Sequence, residues 1–342
     1  MGGHRRAMSA RLGMRIFITG ATGFLGHELL EALRDRKHEM TALVRSAQRA
    51  AGLPPGVRTV QGSVENPESY RGALKGHEAL VHVAALVKMW SRDRRDFDRV
   101  NVEGTATLLR AASEAGVKKL VYASSFIALG PSNGAPLSED DPRRTPEFHN
   151  DYERTKFLAD QAARRLIAQG LPLYVLYPGV IYGPGNLTDG NLVAKNIIPF
   201  LNGTMPFGMA IRAWSYAFVQ DVVQGFVKVI EGVPPSRRYV LGGDNRTGEE
   251  FYQALHEATG RKPPRWNIPL GMASAAGYGE YVLAELFGRQ PTLLTHEVAR
   301  IYKRSWTYDS SRAVRELGYT ITPLKEGLAR LVAWLKSTGH VR

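Results

Sequence analysis

A tyrosine and a lysine four residues apart, in Tyr152-Glu153-Arg154-Thr155-Lys156, form a pair able to move a proton. They open a helix predicted over 151–169, where a four-residue step sets both on one face, a turn apart. A free phenol titrates near ~10, so a tyrosine acting as a base at neutrality needs its pKa lowered by roughly three units, about 4 kcal/mol. An ammonium ~5 Å away at an effective dielectric of ~20 supplies about 3 kcal/mol, and a further positive charge nearby supplies the remainder. Y-x-x-x-K alone is a common surface accident, and its weight comes from a second feature. Leu120-Val121-Tyr122-Ala123-Ser124-Ser125 ends a predicted strand with two hydroxyls, one of which can hold a substrate oxygen against the tyrosine. Strand residues alternate in direction, so only one of Ser124 and Ser125 faces a cleft, and periodicity does not say which. His82, at the end of another strand, reads as a packed or cofactor-adjacent residue rather than a catalyst.

Strand 15–19 runs into Gly20-Ala21-Thr22-Gly23-Phe24-Leu25-Gly26 and then a Leu-rich helix over 24–35. In that context Gly20 allows a tight turn, Gly23 lets backbone approach a pyrophosphate, and Gly26 lets helix and strand pack closely, with the helix N-terminus toward the anion. Thr22, Phe24 and Leu25 belong to the same cofactor-binding turn. The spacing G-x-x-G-x-x-G is one residue longer at its start than the usual dinucleotide fingerprint. The second strand ends Leu43-Val44-Arg45-Ser46, without the carboxylate that normally takes the ribose hydroxyls of NAD. Arg45, helped by Ser46 and Arg49, suits a 2'-phosphate, so NADP is the favoured cofactor and NAD the alternative.

The elements needed to position these residues are present. Apolar strands at 15–19, 40–44, 58–61, 79–84, 120–124 and 173–177 alternate with helical patterns at 24–35, 96–115 and 151–169. That alternation predicts an α/β, doubly wound parallel sheet over 14–183. Past Gly183, proline and glycine punctuate a mainly helical stretch, 184–342, expected to form a small substrate-binding lobe and to return part of the chain to the sheet. Residues 1–13 read as a disordered tail. The apolar stretch 268–287 carries Glu280, Glu285 and three glycines and is expected as a buried helix of the small lobe rather than a membrane span. The absence of cysteine excludes disulfides, thiolate metal sites and cysteine nucleophiles, and no metal site is expected. The net charge of +13 is spread in pairs such as Lys118-Lys119 and Arg237-Arg238, with no block of five, which argues against nucleic acid as the main partner.

Taken together, these segments resemble the extended short-chain dehydrogenase/reductase family, also called the NAD-dependent epimerase/dehydratase family, over nearly the whole chain. Thr19 to Gly26 is similar to its TGxxGxxG turn, His82-Val83-Ala84-Ala85 to its HxAA strand end, and Asn101-Val102-Glu103-Gly104-Thr105 to its NVxGT helix. Tyr122 to Gly130 resembles its serine strand, and in that register Ser125 falls on the catalytic serine. Tyr177-Pro178-Gly179-Val180-Ile181-Tyr182-Gly183-Pro184 resembles the stretch lining the nicotinamide. The resemblance implies a Rossmann fold with Ser125, Tyr152 and Lys156 as catalytic residues. It implies cofactor contacts from Gly20, Thr22, Gly23, Phe24, Leu25, Gly26, Arg45, Ser63, Val64, Ala84, Ala85, Asn101, Ser124, Tyr152, Lys156, Tyr177, Pro178 and Val180. Ser63 stands where the family usually has an aspartate facing the adenine. Ser124 to Pro131, 176–195 and Trp306-Thr307-Tyr308-Asp309 look most like the dihydroflavonol reductase-like branch that includes plant farnesol dehydrogenase, a likeness that points to NAD where Arg45 points to NADP.

The branch implies a small-molecule apolar alcohol or its carbonyl counterpart, interconverted by hydride transfer, with Val87, Met89, Trp90, Phe126, Ile127, Leu192, Trp214 and Tyr216 as the expected substrate contacts. A sugar-nucleotide epimerase or dehydratase would use the same triad but needs paired cations for a diphosphate, and between 186 and 219 the chain offers only Lys195 and Arg212. A non-enzymatic nucleotide- or RNA-binding relative would account for the charge but leaves the triad without a use. A cytoplasmic location is expected, and the family likeness implies a homodimer through the helices over 96–115 and 151–169.

Overall fold

Strand β1 (Arg15–Thr19) buries both its faces, Ile16 and Ile18 toward one helical layer and Phe17 toward the other, as a central strand of a parallel sheet must. It pairs with β2 (Glu39–Val44) on one side and, after β3 (Arg58–Gln61) has paired with β2, with β4 (Ala79–His82) on the other. The sheet then grows away from β4 through β5 (Lys119–Ala123) and β6 (Leu173–Pro178). A seventh parallel strand, β7 (Arg238–Leu241), comes from the later chain and pairs with β6, as the sequence suggests in outline only. The strand order reverses between β1 and β4, and at such a switch point the carboxyl ends of the strands leave a crevice for a ligand. The structure, a computed structural model, describes residues 13–88, 90–205, 208–209, 211–264, 267–287 and 296–341. The amino-terminal tail and Met89 lie outside these, apart from Gly13.

Helices α1 (Phe24–Asp35) and α4 (Val219–Glu231) cover one face of the sheet. The other is covered by α2 (Thr105–Glu114) and α3 (Asp151–Ala168), with Trp306 and Tyr308 packed into the same layer. The helix expected over 96–115 is interrupted: a short turn, Arg95–Phe97, leads into a π-helical turn, Asp98–Gly104, before α2 starts. Gly104 explains part of this, because a Cβ there would lie 3.0 Å from the Arg99 carbonyl oxygen and 3.2 Å from Val64. A third cluster gathers around Val193, Ile197, Phe200, Phe218, Leu328 and Leu331, beside a small sheet made by Val180–Tyr182, Trp214–Phe218 and Asp244–Arg246.

The stretch expected as a buried helix forms α5 (Leu270–Phe287), but it is exposed: Met272 is 66%, Leu286 72% and Phe287 68% accessible. The composition identifies the helix correctly, whereas its burial depends on how much neighbouring surface is available to cover it.

Candidate active site

The first turn of α3 is fixed before any chemistry is considered. Asn150 caps it by accepting a hydrogen bond from the Glu153 amide at 2.8 Å, and the fully buried Glu153 carboxylate is held by Arg143 and by His149. On the outside, Arg154 forks onto both oxygens of Asp98 at 2.8 and 2.6 Å, tying the turn to the π-helical segment. Tyr152, Lys156 and Asp160 therefore repeat at four-residue steps on one held face.

Ser125, just past the end of β5, caps the short helix Phe126–Leu129, its Oγ accepting from the Ile127 amide at 3.4 Å. The same hydroxyl stands beside the Tyr152 phenol, whereas Ser124 stands beside that of Tyr122. Geometry thus separates two serines that periodicity leaves equal. Lys156 Nζ donates to the Ala123 carbonyl at 2.9 Å and to Tyr122 Oη at 3.3 Å, and Asp160 accepts from Tyr177 Oη at 2.6 Å and from Arg164 Nε at 2.7 Å.

The electrostatics differ from the sequence expectation. Burial pushes the Tyr152 phenol up to about 12, against a smaller lowering by the Ser125 hydrogen bond. Burial also pulls Lys156 down to about 7, opposed by the charge of Asp160. The cost of removing the phenolate from water dominates, so the protein by itself holds Tyr152 as the neutral phenol. His82 is fully buried between Thr19 and Thr105, 2.6 and 2.9 Å away, and stacks on Tyr122; burial lowers its pKa to about 3, leaving a neutral packed ring.

Ser124, Ser125, Tyr152 and Lys156 open into one cavity of about 660 Å³. Of the residues named from sequence, it is lined by Gly20, Thr22, Gly23, Phe24, Leu25, Gly26, Arg45, Ser63, Val64, Ala84, Ala85, Ser124, Ser125, Tyr152, Lys156, Pro178 and Val180, and further along by Val87, Phe126, Ile127, Leu192, Trp214 and Tyr216. Tyr177, Asn101 and Trp90 are not among the described residues lining it. Tyr177 is fully buried on Asp160. Asn101 spends its amide on the Leu86 backbone, at 2.8 Å to the N–H and 3.3 Å to the carbonyl, and on Thr155, so it clamps the 84–88 loop to α3. Sequence reasoning missed Glu65, Lys88, Ile181, Val193, Ile197, Phe200, Met205, Ile211, Phe251, Tyr252, Ile301 and Tyr302, which line the cavity from scattered elements and carry no local motif.

The glycine turn fits a dinucleotide. Gly20 has φ +78°, and a Cβ on it would sit 2.5 Å from the Ala84 nitrogen; a Cβ on Gly26 would lie 2.2 Å from the Gly20 oxygen. At Gly23 a Cβ would meet only the Gly20 oxygen, at 3.2 Å, and otherwise project into open space. No side chain caps α1 and no acid occupies its first turn, so its leading N–H groups remain available to an anion. At the far end of β2, Arg45 and Arg49 both line the cavity; burial, then Arg49, lower the Arg45 pKa, with Glu65 opposing. At the other end, Lys195 is exposed and paired with Asp189 at 2.9 Å, and neither it nor Arg212 lines the cavity.

Residues 16–242 match the NAD dependent epimerase/dehydratase family. Over 96% of its length the chain is 31% identical to the whole of sterol demethylase protein B of Methylococcus capsulatus. It is 29% identical to a putative dihydroflavonol 4-reductase of Synechocystis, covering 95% of this chain and 96% of that protein. Among solved structures, MoeE5 in complex with UDP-glucuronic acid and NAD superposes with a TM-score of 0.73 at 25% identity, over 95% of this chain and 99% of that one. With its seven-stranded parallel sheet, its glycine turn and a match over most of its length, the chain belongs to the NAD dependent epimerase/dehydratase family of extended short-chain dehydrogenases/reductases.

Proposed function

We propose that the protein is a nicotinamide-dependent oxidoreductase that interconverts an apolar alcohol and its ketone or aldehyde, with NADP as the favoured cofactor. The observation carrying this reading is the single cavity in which Ser125, Tyr152 and Lys156 meet the glycine turn on one side and a mainly apolar wall, with Phe126, Ile197, Phe200, Trp214 and Ile301, on the other. The turn Gly20 to Gly26 would hold the pyrophosphate, and Arg45 with Arg49 the 2'-phosphate. The bound nicotinamide supplies or accepts the hydride at its C4. Ser125 donates a hydrogen bond to the substrate oxygen. In the reducing direction Tyr152 gives its phenolic proton to that oxygen, and the Lys156 ammonium steadies the tyrosinate left behind. The neutral phenol of the cofactor-free protein is ready for that direction. The sterol-related name of the Methylococcus relative agrees with an apolar substrate.

The rival reading, a sugar-nucleotide epimerase, is favoured by the MoeE5 likeness but opposed by the substrate end, where neither Lys195 nor Arg212 lines the cavity. Nicotinamide absorbance, followed with NADPH or NADH and a panel of apolar ketones and aldehydes, tests the proposal. Turnover is expected with NADPH, reduced by roughly 10² to 10⁴ in Tyr152→Phe. Arg45→Ala should raise the KM for NADPH about tenfold or more and leave that for NADH unchanged, since it removes a charge-assisted contact to one cofactor alone. Interconversion of UDP-sugars with no net redox would overturn the reading in favour of the epimerase.

A further inference from the structure

Helix α5 does not follow from its composition as an ordinary surface helix. Its eighteen residues carry Glu280 and Glu285 as their only charges, and a helix apolar around its whole circumference is normally buried in a core or in lipid. Here Met272, Tyr278, Val282, Leu286 and Phe287 are all exposed, five large apolar side chains on one helix, with Tyr278, Val282 and Leu286 at four-residue steps on one face, rather than the scattered single residues that need no explanation. No helix among the described residues is long and apolar enough to cross a membrane, so spanning does not account for it. The helix packs against α6 (His296–Tyr302), whose Ile301 and Tyr302 line the substrate end of the cavity. The stretch 261–304 has seven Lys and Arg against three Glu, in a chain of net charge +13, and Lys262, Arg300, Lys303 and Arg304 are exposed there.

We propose that α5 and α6 form the face with which the protein lies on an anionic lipid bilayer, the apolar side chains entering the headgroup boundary and the flanking cations facing the lipid phosphates. A second copy of the chain suits the face less well, because pairing it with itself would bring two cationic surfaces together, whereas an anionic bilayer satisfies both its apolar and its charged parts. The further consequence, that a bilayer-dissolved substrate reaches the cavity past Ile301 and Tyr302, rests on the oxidoreductase reading above; the binding itself does not.

Co-sedimentation of the full chain with vesicles of phosphatidylcholine alone, and of phosphatidylcholine mixed with phosphatidylglycerol, tests the proposal, alongside the sedimentation coefficient of the free protein. The expected result is binding to the mixed vesicles, weak binding to the neutral ones, and a sedimentation coefficient in solution that Leu286→Asp with Phe287→Asp leaves unchanged. Lys303→Gln with Arg304→Gln should lower the partition coefficient about thirtyfold, near fivefold for each cation. Leu286→Asp with Phe287→Asp should abolish binding. Equal binding to both vesicles, no binding to either, or a dimer that Leu286→Asp with Phe287→Asp converts to monomers would overturn it, the last assigning the face to a second copy. All variants should keep wild-type turnover of a water-soluble ketone. Vesicle binding without turnover in the wild type would defeat the oxidoreductase reading and leave the surface standing.

Discussion

Lys156 is the residue whose environment most constrains the proposed chemistry. Burial takes its pKa down to about 7, while Asp160, one turn further along α3, acts in the opposite sense. An amine with that pKa carries its charge below neutrality and loses it as the pH rises. Reduction of a carbonyl leaves a tyrosinate that this charge stabilises, so turnover at saturating NADPH should be highest on the acid side and fall above about pH 7, roughly tenfold per unit along the limb. Asp160→Asn removes the charge that supports protonation and should move the limb to lower pH without abolishing turnover. A rate independent of pH up to about 9 would dissociate Lys156 from the proton step. Tyr152 titrates far above this window, held up to about 12 by burial, so the limb belongs to the lysine.

Among the elements, the turn from β1 into α1 tolerates little change. Gly26 is where helix and turn approach most closely, and a Cβ there would overlap backbone, 2.2 Å from the Gly20 oxygen and 2.8 Å from its carbon, neither of which can rotate away. Gly26→Ala should therefore lower stability by about 1 to 3 kcal/mol, the range for overpacked sites, and remove NADPH binding as read by calorimetry. Gly271, in the exposed α5, has nothing within 4 Å of an added Cβ, and Gly271→Ala should leave binding unchanged. The contrast distinguishes glycine used for close approach from glycine that simply occupies a surface. The π-helical turn is the complementary case: it brings Asn101 to the backbone of Leu86, so the loop lining the cavity is held by an irregular element.

For the whole molecule, the late chain is as important to the site as the early one. Strand β7 completes the sheet beside β6, the Tyr308 hydroxyl donates to the Gly130 carbonyl at 2.6 Å, and Leu137 is bridged to Tyr308, so the segment after Ser125 is braced by residues some 170 positions away. We propose that the division near Gly183 marks a change in role rather than two units able to fold separately. A fragment ending at Gly183 should lack a cooperative thermal transition and fail to bind NADPH. Cooperative unfolding of that fragment would show instead that the first part is self-sufficient.

The sequence by itself determined the parallel sheet, the glycine turn and the placement of Tyr152 and Lys156, because each depends on short-range periodicity and on backbone freedom visible within a few residues. β1, β3 and α1 fall where the pattern puts them, the other predicted strands and α3 fall within about two residues of it, and only the helix expected over 96–115 is broken, by the π-helical turn before α2. Only the tertiary structure decided which of Ser124 and Ser125 meets the tyrosine, since that depends on how β5 approaches α3. It also decided that Asn101 and Tyr177 are occupied inside the protein, that Ile301 and Tyr302 reach the cavity, and that α5 remains exposed. The lysine and tyrosine pKa values belong to the same class: both are governed by burial, a property of the folded surroundings that no spacing along the chain encodes.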